Sequence, residues 1–222
     1  MLVKEITQRN TYDIAKLHSM LGGEQSRKQI ATIVHKFAQD ETGERIKVST
    51  HSTPEVDSGS MNLSAYYDPD NDEDEKGHII ELQLAFSPND KTVKWSEEGK
   101  EYFVHELTDA LKHEMLHVQQ HRNRDFHPGR DGYDRRDTNY EYMTRPDEIE
   151  AYAMNIADEL VRKADKDGAL QLLRMAGKTA QFKDEMGRYL SPNLMAYFAM
   201  FDWKADHPVM KRLLKRIYQF IN

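Results

Sequence analysis

The sequence predicts an α+β fold that is mainly helical, with a small antiparallel sheet next to one long helix and a helical C-terminal part. Three observations carry this. Apolar residues recur at helical spacing over most of the 222-residue chain. Period-two alternation is confined to the stretch between residues 45 and 86. Apolar content of 38% and charged content of 31% support a real core, above the composition of disordered chains. A chain of this length suits one domain with an extension. The expected division is a first domain over 1–165 and a helical extension over 166–222 packed on it.

The elements follow in order. A helix is expected over roughly 8–21, stopped by Gly22-Gly23. A second runs over roughly 25–39, with Ile30, Ile33, Val34 and Phe37 on one face. Arg45 to Thr50 reads as a short strand, and 61–67 and 78–86 as two more. In the last, Ile80, Leu82, Leu84 and Phe86 alternate with Glu81, Gln83 and Ala85. Between them, residues 68–77 form an acidic connection, read as an exposed hairpin tip. Its carboxylates lack the in-register glycine and closing glutamate of a calcium loop, which favours a solvated loop.

Ser96 to about Arg124 reads as one long helix. Ser96 caps it, and Glu97 and Glu98 suit its positive end. Residues 125–147 show no period and read as a long loop. Pro146 suits the first position of the next helix, which carries Ile149, Ala153, Ile156, Ala157 and Leu160 on one stripe. The remainder is helical, broken near Gly187, Ser191-Pro192 and His207-Pro208. The cluster Tyr197, Phe198, Phe201 and Trp203 reads as packing. Lys211, Arg212, Lys215 and Arg216 read as the solvated face of a terminal helix.

Composition limits the function classes. A net charge of −7 and a pI of about 5.8 argue against a nucleic-acid partner. No apolar run reaches the roughly 18 residues of a membrane span, and Met1 to Gln8 lack the apolar core of a secretory signal. There are no cysteines, so any metal must be held by His, Asp or Glu. A cytoplasmic location is the expectation.

The string His113-Glu114-Met115-Leu116-His117 carries the chemistry. Two histidines four residues apart stand one turn apart on one helix face. Their rings can converge on one zinc ion at about 2.0–2.1 Å. Glu114 is rotated by about 100° from His113, so it flanks the ion instead of binding it. There it can act as general base towards a water activated by the metal. The motif lies mid-helix among Phe103, Val104, Leu107, Leu111, Leu116 and Val118, which argues against chance recurrence among ten histidines. His121 lies about 12 Å along the axis from His113, too far to share its ion in an unbroken helix, and His105 fails for the same reason. His127 can return from the loop as a ligand. Asp109, one turn before His113, can orient a ligand histidine or be an exposed charge. Donors to a developing oxyanion are sought among Tyr133, Tyr140, Tyr142, His127 and the loop arginines.

Together with Arg145-Pro146-Asp147-Glu148-Ile149-Glu150-Ala151-Tyr152-Ala153, this string resembles the gluzincin clan of zinc peptidases. The resemblance covers about forty residues, from His113 to Ala153. Its second half is similar to an E-x-x-A pattern of intramembrane CAAX-type proteases and of cytosolic peptidases that cleave phage repressors. It implies a zincin-like domain and a downstream Glu as third zinc ligand, which maps to Glu148. Tyr152 stands where that pattern often has Asp or Asn, so Glu150 stays open as the alternative. The resemblance also implies that an edge strand before the helix binds substrate by strand addition, for which 78–86 is the candidate unless it is interior. The C-terminal run from His207 to Tyr218 is similar to phage-encoded H-E-x-x-H proteins.

The expected function is a zinc metallopeptidase acting on a peptide or protein, with no membrane partner. The alternative is a non-catalytic metal-binding protein with a structural or regulatory role, such as a virion or host-interaction protein. Glu114 favours the enzyme, since a structural site has no use for it.

Overall fold

The computed structural model describes residues 12–127, 138–176 and 191–222. The fold is α+β, and 61% of it is helical. It divides into two compact units, one of Asn10–Phe126 and one taking in the described residues from His127 to Asn222.

In the first unit, α1 (Ile14–Met20) is capped by Asp13 and ends before Gly22. A short strand, β1 (Glu24–Ser26), leads into α2 (Arg27–Thr42). Ser26 and Gln29 form a reciprocal capping box at its start. Gly43 closes it at φ 71°, a left-handed conformation that suits glycine. Next come β2 (Ile46–Ser52), β3 (Met61–Tyr67), α3 (Pro69–Glu73), β4 (Ile80–Phe86) and β5 (Thr92–Lys94). The long helix α4 (Glu97–Arg122) is capped by Ser96, as its sequence predicts.

The three-stranded sheet has the order β2-β4-β3, and β1 pairs separately with β5. β3 and β4 are antiparallel, as expected for neighbours joined by ten or so residues. β2 is parallel to β4, pairing Ile46 with Ile80 through Ser52 with Phe86. The sheet is therefore mixed. β4 is its interior strand, so strand addition is closed to residues 78–86 and the free edges belong to β2 and β3. Burial agrees: β4 is covered on nearly every position, whereas β3 alternates. The core joins Leu82, Leu84 and Phe86 to Ile30, Val34 and Phe37 of α2 and Leu107 and Leu111 of α4.

The acidic connection is more ordered than an exposed tip. Asp68 caps α3, and Asp72 is only 5% exposed. Asp72 accepts from the Tyr67 hydroxyl at 2.9 Å and from Arg122 Nε and Nη2 at 2.9 and 2.7 Å. Arg122 also forks onto Glu44 at 2.7 and 3.0 Å. The two carboxylates, Glu44 before Asp72, hold the guanidinium firmly charged. Burial, then the bond to Asp72, pushes the Tyr67 phenol up. This network ties the C-terminal end of α4 to the sheet side of its unit.

In the second unit, α5 (Asn139–Thr144) lies inside the stretch expected to be loop. Thr138 and Glu141 form its capping box, a spacing legible in the sequence. α6 (Pro146–Ala176) starts on Pro146 and breaks at Ala164 and Asp165. α7 (Pro192–Met200) and α8 (Pro208–Ile221) complete the unit, both with proline at their start. Ile149, Ala153, Ile156 and Leu160 pack with Leu194, Phe198, Met210, Leu213 and Ile217. Lys211, Arg212 and Lys215 face solvent. No described helix is long and apolar enough to cross a membrane. Gly187 lies outside the described residues.

Candidate metal centre

His113 and His117 sit in the middle of α4, and His113 is only 7% exposed. Their Nε2 atoms face each other at 3.1 Å. Two nitrogens on one tetrahedral zinc stand about 3.3–3.4 Å apart, so this is close to the spacing a shared ion requires. The other nitrogen of His117 has its own partner. Nδ1–H donates to Gln120 Oε1 at 3.0 Å, which leaves the Nε2 lone pair for the ion. Gln120 went unnoticed in the sequence, although i, i+3 from a ligand histidine is a readable spacing.

Glu114 is buried, 8% exposed, in the turn between the two histidines. Asp109, one turn before His113, is buried as well and is not an exposed helix charge.

The other candidate histidines separate cleanly. His121 is turned into packing, edge-on to Tyr67 at 5.8 Å and Phe126 at 6.4 Å. His105 is half-buried, eight residues before His113 in the unbroken helix. His127 is exposed.

Glu148 lies in the first turn of α6 and is 7% exposed. Glu150 points elsewhere, with Arg216 Nη1 of α8 at 4.0 Å from its Oε1. Among the described residues, His113, His117 and Glu148 form a group that could hold a metal ion. Each offers one ligand atom, and these atoms lie within 4.8 Å of one another. Two imidazoles and a carboxylate form a donor set suited to a borderline divalent ion.

Of the expected oxyanion donors, Tyr140 is 47% exposed and rests on Phe201 at 5.3 Å. Tyr142 sits under the Arg145 guanidinium, 5.8 Å from its ring centroid. Tyr133 lies outside the described residues. The aromatic cluster packs as expected, and Phe198 stacks on Trp203 at 5.5 Å. Within it Tyr197 is fully buried, with no hydrogen-bond partner for its hydroxyl among the described residues. Burial pushes that phenol up, and the charges of Tyr152 and Glu148 add to the shift.

No family model, curated protein or solved structure matches this chain.

Proposed function

We propose that the protein is a zinc-dependent metallopeptidase in which His113, His117 and Glu148 hold the metal and Glu114 is the general base. The observation that carries this reading is the His-His-Glu donor group, with an acid buried in the turn between its histidines. Three protein ligands leave a coordination position open, which is the arrangement of catalytic and not structural zinc. A bound zinc ion supplies Lewis acidity to the substrate carbonyl and to the attacking water. Glu114 accepts the proton of that water and returns it to the leaving amine nitrogen. Gln120 keeps the His117 ring in the tautomer and orientation that binding needs.

The test uses Glu114→Gln, which removes a base and no ligand. Wild type should bind about one zinc per chain and cleave members of a broad peptide library, since three ligands make one catalytic-type site. Glu114→Gln should keep the zinc and lose cleavage by at least about a hundredfold, the usual scale of general-base catalysis. Zinc bound with no cleavage by wild type would favour the non-catalytic alternative. Near-normal cleavage by Glu114→Gln would remove its role.

A further inference from the structure

The open edge of β3 borders a cleft that the chemistry above leaves unused. Among the described residues β3 pairs only with β4. The phase of that ladder shows what the other edge offers. Asp68 N donates to Ile79 O at 2.7 Å, which makes these two a hydrogen-bonded pair just past the end of the register. Counting back by two, Tyr66, Ser64 and Asn62 turn their backbone groups to β4. Met61, Leu63 and Ala65 therefore present theirs to the open side. Met61, Asn62 and Leu63 line a cleft of about 460 Å³, and no described β4 residue does. Consecutive strand side chains point to opposite faces, so three lining residues in a row mean that the edge of the strand is turned to the cleft. The facing wall is aromatic. Trp95 is held by a hydrogen bond from Nε1 to Gln25 Oε1 at 2.7 Å, and its ring lies 5.3 Å from Phe103. Tyr102 lines the cleft too and is 65% exposed.

We propose that this cleft takes a large apolar side chain of an extended peptide that adds to β3 as a further strand. The inference rests on the peptidase reading and deepens it by naming a substrate class. A strand edge recognises a main chain through its N–H and C=O groups, and a pocket beside the edge selects one side chain. A cleft of this volume, walled by Trp95, Tyr102 and Phe103, suits an aromatic or large aliphatic group. The placement also gives a register. Met61 and Leu63 share the cleft with Phe103 and Glu106, and Tyr67 meets His121 at 5.8 Å, so β3 and α4 run in the same direction. Glu106 precedes His113 by two turns, about 10 Å along the helix. An extended chain covers that distance in about three residues. The selected side chain then stands about three residues from the bond cut beside His113.

The test uses a short fluorescein-labelled peptide of Ser, Thr and Val with one central Phe. Its binding to the full-length Glu114→Gln chain is followed by fluorescence anisotropy. Gly in place of Phe should weaken binding by at least about tenfold, the worth of one buried aromatic side chain. Tyr102→Ala should remove most of that preference and leave the affinity of the Gly peptide as it is. Leu63→Pro, which removes an outward N–H and no ladder bond, should weaken both peptides. Zinc-loaded wild type should cut the Phe peptide about three residues from Phe. Equal affinity of the Phe and Gly peptides, an undiminished preference in Tyr102→Ala, or cuts unrelated to the position of Phe would overturn the proposal. So would a dimer in sedimentation that Leu63→Pro dissociates, because a second copy would then hold the edge. Binding in the expected pattern without cutting by wild type would instead sink the peptidase reading and leave the cleft assigned.

Discussion

Glu150 follows Glu148 by two residues and ends on a different side of the same helix. About 200° of rotation separates them, so a single ion can take only one. Burial and pairing divide them: Glu148 is 7% exposed, whereas Glu150 faces Arg216. Glu148→Ala should therefore weaken zinc binding by at least about tenfold, and Glu150→Ala should change it little. Titration of both variants against a competing chelator checks this, and the reverse order would exchange the two assignments. At this scale the sequence was informative where chemistry dictates spacing. His113, Glu114 and His117 are legible because one helical turn is a fixed length. Gln120 was equally legible, by the same spacing, but a neutral amide draws no notice until a ring nitrogen is seen facing it.

Elements were predicted best where caps and prolines mark them. Ser96, Pro146, Pro192 and Pro208 start helices as the sequence suggests. The parallel pairing of β2 was missed because alternation reports which face is buried, not which direction a neighbour runs. The acidic connection misled for a related reason. Its charge suggested solvent, but Asp72 is buried by a cation fifty positions away along the chain. The break in α6 was hidden too. Asp165 adopts φ 51° and ψ −174°, and its carboxylate then accepts from Gly168 N at 2.9 Å, recapping the helix. Gly168 is needed there because a Cβ would stand 2.9 Å from Ala164 Cβ. Alanine at 168 gains about 1 kcal/mol of helix propensity but suffers overpacking of about 1–3 kcal/mol. Gly168→Ala should therefore be destabilising by up to about 2 kcal/mol, and Ala164→Gly in the same chain should recover part of the loss. Urea denaturation of the two variants and their combination measures both. A stabilised Gly168→Ala would mean that the close approach at Ala164 relaxes freely.

For the whole molecule, the proposed metal site would draw its ligands from segments that lie far apart in sequence. His113 and His117 belong to α4 and Glu148 to the first turn of α6, so the unfolded chain offers no preformed site. A ligand that binds only the folded protein stabilises it by mass action. At a free zinc concentration of 100 times Kd the gain is about 2.7 kcal/mol. For a chain of this size, each kcal/mol raises Tm by about 2–4 °C, so zinc should raise it by about 5–10 °C. The pattern among variants is more telling than the size of the shift. Glu114→Gln keeps all three ligands and should show the full rise. His113→Ala and Glu148→Ala should lose most of it at the same zinc concentration. Scanning calorimetry of the four proteins, with zinc and with chelator, makes the comparison. A full zinc-dependent rise in Glu148→Ala would show that the ion is held without α6, and the three-ligand site would have to be abandoned in favour of one built on α4 alone.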